Sequence, residues 1–267
     1  MGKKIRIGID FDDTIEGLQN AWLGKMGLAC DPPIHLTSKD WTKWTEGDLE
    51  PLHGRKLKAG VPLKGGRVTD GTEHFMTGPD DKTPGAVGIL EFLTPDLYKM
   101  VRPLPGAPEA VAQLAKIPNV EILCVTAHPG GTSPDPLEPV RAAFEANKNE
   151  IIAQRYPDLV GKTYFASDKT QFDLDGLIDD GPHNIKNLLA HAQKEGRPFL
   201  ALYVNTSLNQ AKDIPQAVRI DSIAEAPEHV ARFAKAVERE GLFQGLERVP
   251  VRNLDLSPKT PTKENIK

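Results

Sequence analysis

The chain has 267 residues, enough for one large domain or for a core carrying an inserted smaller one. Hydrophobic residues make up 39% and charged residues 26%, which suits a soluble globular protein with a real core. A net charge of -4 leaves no global attraction to nucleic acid or to an anionic membrane, so neither is an expected partner.

Ile5 to Ile9 is an apolar run that reads as a buried strand, and nothing ahead of it has the pattern of a signal peptide. It stops in Asp10-Phe11-Asp12-Asp13-Thr14, which packs three carboxylates into four residues. Buried carboxylates repel one another and lose hydration, so a fold keeps them together only with compensation, and Mg²⁺ is the usual agent. The bland alternative is an acidic, solvated turn after an edge strand. Residues 15–27 read as a helix with Leu18, Ala21, Trp22 and Met26 on one face. From 28 to 102 Gly, Pro, Lys and Asp dominate without periodicity, and the apolar content gathers in Trp41, Trp44, Phe75 and residues 87–93. A structureless loop of that length is unusual inside a compact core, so an inserted, loop-heavy cap with one or two short helices is expected.

Regular patterning returns after Pro103-Leu104-Pro105-Gly106. Ala107 to Lys116 is a predicted helix. Val120 to Val125 is a predicted strand, continuously apolar as when both faces of a parallel sheet are covered, and it ends in Thr126-Ala127-His128-Pro129. A Gly/Pro/Ser segment, 129–136, leads into a long amphipathic helix over 137–155. Short strands follow at 164–166 and at 177–178, the second ending in Asp179-Asp180-Gly181. A helix over 185–194, a strand over 199–204 ending in Asn205, an edge strand at 218–220 and a helix over 226–240 complete the expected core. The domain reading is therefore a core of 1–27 and 103–245, a cap of 28–102 and a disordered tail of 246–267. No stretch approaches the ~18 apolar residues of a spanning helix. The two cysteines, Cys30 and Cys124, make no metal framework; Cys124 reads as a buried thiol, and a reducing, cytoplasmic setting is the default.

Alternating strands and helices mean an α/β fold, a doubly wound parallel sheet with right-handed crossovers. Such sheets bind ligands beyond the carboxyl ends of their strands. Asp10 to Thr14, Thr126 to His128, Ser167 to Lys169, Asp179-Asp180 and Asn205 all fall just past a predicted strand, and they meet in one crevice if those strands are neighbours. There is no Ser/His/Asp arrangement, no GxxxxGK[ST] loop and no GxGxxG. Carboxylates, a hydroxyl, a lysine and a metal suit phosphoryl transfer, where catalysis is mainly positioning and charge neutralisation.

Asp10-Phe11-Asp12-Asp13-Thr14 resembles the DxDx[TV] motif of the haloacid dehalogenase superfamily. Thr126 after its apolar strand, Lys169, and Asp179-Asp180 resemble the second, third and fourth motifs, in the correct order. Within the superfamily the 5'(3')-deoxyribonucleotidases are most similar, through Pro103-Leu104-Pro105-Gly106-Ala107 with Glu109-Ala110-Val111, and through Ser167-Asp168-Lys169-Thr170 ahead of Leu177-Ile178-Asp179-Asp180. The likeness spans roughly 1–27 and 103–205 and fades in 28–102 and the tail. It implies a Rossmann-like core with a cap, a Mg²⁺ cofactor, and hydrolysis of a small phosphate monoester, a nucleoside or deoxynucleoside monophosphate, through an aspartyl-phosphate. It also suggests a homodimer. Asp10 is then the nucleophile and a metal ligand, and Asp12 the general acid/base with its backbone carbonyl on the metal. Thr126 and the N–H of Ala127 hold the phosphoryl oxygens, Lys169 neutralises charge, Asp179 is a metal ligand and Asp180 supports the metal from behind its ligands or through water. Asp13, where the deoxyribonucleotidases commonly have glycine, and His128-Pro129, in place of Ser-Pro, depart from the pattern.

Other residues invite chemical readings beside structural ones. Lys162 is the runner-up to Lys169. Asn205 reads as a strand-end cap, and Trp41 and Trp44 as base-stacking or core residues. The basic run His53, Arg55, Lys56, Lys58, Lys64 and Arg67 reads as a solvated face that attracts anions if it overhangs the crevice. The competing functions are a sugar-phosphate or nucleic-acid-end phosphatase, and a non-catalytic phosphate- or Mg²⁺-binding module of receiver type.

Overall fold

The computed structural model describes residues 4–41, 49–78, 82–127, 138–207, 209–210 and 213–241. Six parallel strands form the central sheet: β1 (Ile5–Ile9), β4 (Val120–Thr126), β5 (Thr163–Phe165), β6 (Gly176–Asp179), β7 (Leu200–Val204) and β8 (Val218–Ile220), in the spatial order β5-β4-β1-β6-β7-β8. Two further short strands, β2 (His74–Met76) and β3 (Ala86–Gly88), pair parallel with each other apart from it. The helices are α1 (Leu18–Ala29), α2 (Ala107–Leu114), α3 (Glu138–Arg155), α4 (Pro182–Lys194) and α5 (Ala226–Glu240).

The strand order places β1 at the centre with β4 on one side and β6 on the other, where the direction of winding reverses. Period-two alternation then separates two cores. Ile5, Ile7 and Ile9 join Ile122, Cys124, Ile178 and Leu202 in the larger one, which also takes the buried sides of α1, α2, α3 and α5. Leu123, Val125, Leu177, Ala201 and Tyr203 point the other way and pack on Ile185 and Leu188 of α4. Alternation puts Gly8 on this second face, where a Cβ would come within 2.6 Å of a Leu174 methyl.

The sheet follows the expected strands to within a residue or two. Helix α1 begins at Leu18 rather than at 15, because the N–H groups of Ile15 and Glu16 turn back to the carbonyl of Phe11 and close the loop after β1. The segment 28–102 differs more. Its described residues hold several short helices, all of 3-10 type, among them Glu50–Leu52, Ile89–Phe92 and Pro95–Lys99, together with the β2–β3 pair. Its apolar residues are too sparse for a helix stripe, so they bury singly: Leu49, Leu52, Leu57, Phe75 and Phe92 are all fully buried in the larger core. Trp41 is buried with its ring edge-on to Trp22, 5.2 Å between centroids, which makes it a packing residue. Trp44 and the tail 246–267 lie outside the described residues.

Candidate active site

Register builds the centre of the site. Ile9 is level with Cys124 of β4 and Ile178 of β6, and the N–H of Asp10 continues the ladder to the carbonyl of Ile178. Asp10 and Asp179 are thus the next residues on adjacent strands and project from the same face of the sheet. One carboxylate oxygen each from Asp10, Asp179 and Asp180 lies within 4.8 Å of the others.

Lys169 opens a 3-10 turn, Lys169–Phe172, and its buried ammonium donates to Asp10 Oδ1 at 2.6 Å and to Asp179 Oδ2 at 2.6 Å. Burial opposes its charge, but the two carboxylates outweigh burial and raise its pKa. Asp179 also accepts from the N–H of Gly181 (2.6 Å) and the side-chain amide of Asn184 (2.9 Å), both at the start of α4. An anion is favoured at that helix end. Even so, burial keeps the Asp179 pKa above the usual carboxylate value. Asp180 is fixed through its backbone: its N–H donates to Thr14 Oγ1 and its carbonyl accepts from Asn209. Its own pKa is driven well up, by burial first and then by the charges of Asp13, Asp179 and Asp10. Asp13 has φ 55, a backbone region that Asp tolerates, and accepts from the N–H of Gln19 at 2.9 Å. Burial chiefly pushes its carboxyl up to about 7.

Asp12 sits apart from the Lys169 group. Its Oδ1 accepts from the Tyr98 hydroxyl at 2.8 Å and its Oδ2 from Lys148 at 2.7 Å. Desolvation raises its pKa against the pull of Lys148. Lys148, fully buried, donates as well to Thr126 Oγ1 (2.7 Å) and to the carbonyl of Ala127 (2.9 Å). Thr126 and Ala127 therefore lie at the crevice, with Lys148 on the Thr126 hydroxyl.

Of the residues singled out in the sequence, Asp10, Asp12, Thr126, Ala127, Lys169, Asp179 and Asp180 come together at the ends of β4, β1 and β6. Lys162 does not join them; it is exposed and donates to the carbonyl of Asp158. Asn205 binds Asp221 and Arg219 at the β7–β8 edge, a structural post. His53, Arg55, Lys56, Lys64 and Arg67 are exposed, as a solvated face requires. His128 lies outside the described residues. Sequence reasoning missed Lys148, Tyr98 and Asn184. Lys148 carried a signal, since it falls on the buried stripe of α3 with Phe144, Ile151 and Ile152, where a lysine needs a partner. Tyr98 carried none, because the segment around it has no period to read.

The acidic group fits a hard divalent cation. Asp10, Asp179 and Asp180 supply only oxygen donors, and Lys169 is the one cation bonded among them within the described residues, so full ionisation of the three would leave negative charge for a cation to offset.

No family model matches the chain, and no curated protein matches it. Solved structures with some likeness include haloacid dehalogenase-like proteins. One, from Xanthomonas campestris, is 13% identical over 90% of this chain and 100% of its own, with a TM-score of 0.44. A haloacid dehalogenase-like protein from Agrobacterium tumefaciens is 13% identical over 87% of this chain and 100% of its own, at 0.45. A D,D-heptose bisphosphate phosphatase from B. bronchiseptica, complexed with magnesium and phosphate, is 15% identical over 52% of this chain and 88% of its own, at 0.36. Likenesses this loose fix neither reaction nor substrate, which rest on the side chains of the site. No helix among the described residues is long and apolar enough to cross a membrane.

Proposed function

We propose that the chain is a Mg²⁺-dependent phosphomonoesterase of haloacid dehalogenase type that works through an aspartyl-phosphate on Asp10. The observation that carries this reading is the Lys169 ammonium, 2.6 Å from both Asp10 and Asp179, beside a third carboxylate within 4.8 Å. Asp10, Asp179, Asp180 and the backbone carbonyl of Asp12 are the residues that would hold Mg²⁺. Bound there, the cation would offset the charge of the carboxylates and of the phosphate.

Asp10 presents a carboxylate oxygen to phosphorus. Lys169 has three N–H groups and uses two on Asp10 and Asp179, which leaves the third for a phosphoryl oxygen. Asp12, two residues on, gives a proton to the leaving oxygen and then takes one from the attacking water. A module that only binds phosphate has no use for that second carboxyl, so the pair favours an enzyme over a receiver-like role. The (deoxy)nucleoside 5'-monophosphate is the substrate favoured by the sequence likeness to deoxyribonucleotidases. Trp41 cannot serve as a base platform while it packs on Trp22. Two free, buried cysteines suit a reducing, cytoplasmic setting.

A screen of nucleoside monophosphates and sugar phosphates, with and without Mg²⁺, tests the reading. Mg²⁺-dependent release of phosphate that disappears in Asp10→Asn is expected. Turnover that survives this substitution overturns the assignment of Asp10.

A further inference from the structure

Tyr98 and Lys148 are unused by the chemistry above, yet both end on Asp12. Lys148 Nζ has three donors and three oxygen partners, Asp12, Thr126 and Ala127, so it is saturated. It differs in this from Lys169, which keeps a donor in hand. Its ammonium also lies 5.3 Å from the Phe11 ring centroid and 5.5 Å from that of Tyr98. A cation so enclosed is built to hold its neighbours in place.

Tyr98 is held just as firmly. It belongs to the turn Pro95–Lys99, in the segment 28–102, and its ring stands edge-on to Phe144 of α3 at 5.9 Å. The turn is pinned from two sides. Asn147 of α3 donates to the carbonyl of Pro95 at 2.8 Å. From α1, Lys25 reaches Asp96 at 3.1 Å and also bonds Thr94. The hydroxyl of Tyr98 therefore meets Asp12 Oδ1 at a position set by two helices.

We propose that Tyr98 and Lys148 are positioning residues for Asp12, clamping one oxygen each so that its acid proton faces the leaving group. This rests on the phosphatase reading and deepens it. In the first step an Asp10 oxygen forms a bond to phosphorus as the bond to the ester oxygen breaks, and the Asp12 proton passes to that oxygen. In the second step water adds to phosphorus, its proton returns to Asp12, and Asp10 leaves as the carboxylate with inorganic phosphate as product. Aim matters in the first step only when the leaving oxygen needs the proton. An alkoxide needs it; 4-nitrophenolate departs largely without it.

The test compares kcat/KM, which reports the first step, for the alkyl phosphate hydrolysed best in the screen and for 4-nitrophenyl phosphate. The variants are Tyr98→Phe, Lys148→Met and Lys148→Arg in the full chain with Mg²⁺. A general acid supplies roughly 10²–10⁴-fold, so Tyr98→Phe is expected to lower the alkyl ester rate by about tenfold or more and the nitrophenyl ester rate by a clearly smaller factor. Lys148→Met, which also releases Thr126, lowers both rates but the alkyl ester's by the larger factor, and Lys148→Arg restores part of that difference. Equal losses on both esters, or none, overturn the clamp. If Lys148→Met does not fold, Tyr98→Phe, which removes one oxygen from an otherwise unchanged ring, decides alone. Failure of the wild type on every ester sinks the phosphatase reading itself, an outcome distinct from unselective variants of an active enzyme.

Discussion

Replacing Lys169 by Met removes the only cation bonded to the Asp10–Asp179 pair among the described residues while keeping much of the side chain's bulk. Both contacts are 2.6 Å, Asp179 is fully buried and Lys169 nearly so. Removing one partner of a buried ion pair leaves the other charge uncompensated, at a cost of about 3–5 kcal/mol. Each kcal/mol lowers the melting temperature of a chain near this size by ~2–4 °C. In EDTA the variant should therefore melt ~6–20 °C below the wild type. The deficit has a pH signature. Burial already holds the Asp179 pKa above the ordinary value and Lys169 opposes that rise, so its loss drives the pKa higher still. A carboxyl with a raised folded pKa contributes stability below its unfolded pKa and loses it as pH climbs through the folded one. The deficit should accordingly shrink toward acid and widen toward neutral pH. Paired thermal melts across this range, with phosphate release assayed in parallel and expected to be lost, provide the measurement. A melting temperature within a degree or two of wild type near neutral pH would refute the idea that this lysine compensates buried charge.

Asp13→Asn keeps the oxygen that Gln19 donates to and suits φ 55, but it cannot ionise. Because the wild-type carboxyl is pushed up to about 7, its stability contribution is present below the usual value of 3.8 and lost between there and about 7. In EDTA the variant should gain on the wild type across that window, with no difference at its acid end; a pH-independent difference would count against it. Mg²⁺ should raise the melting temperature of the wild type, since a ligand bound only by the folded state stabilises it, and should do so less in Asp179→Asn. Equal shifts in the two proteins would move the cation elsewhere. Gly27→Ala would place a Cβ 2.3 Å from the carbonyl oxygen of Ile34, a backbone atom that cannot rotate away. A loss of about 1–3 kcal/mol in denaturant unfolding is expected from such overpacking, and an unchanged midpoint would mean that this close approach is absent.

The inner strands β1, β4, β6 and β7 could be read along the chain because each is a largely apolar run whose end is marked by a polar residue. Ile5–Ile9 closing in Asp10 and Gly176–Asp179 closing in its own aspartate are the plainest cases. A buried parallel strand needs that pattern wherever it sits, so local composition suffices. The convergence of Asp10, Thr126, Lys169 and Asp179 could be expected for the same reason, since parallel strands in one sheet bring their carboxyl ends to one rim.

The partners of Asp12 could not be expected. Lys148 lies 136 residues from it and Tyr98 86 residues from it, and each contact depends on the angle at which a helix or a turn packs. Nothing in the identity of a lysine says whether its ammonium reaches water or a buried carboxylate. The same limit applies in 28–102, where Phe75 is buried against the ring of Phe92, 5.0 Å between centroids, a pairing no periodicity announces. Periodic burial leaves a record in the order of residues, whereas burial by isolated contacts is set only when the whole chain has packed.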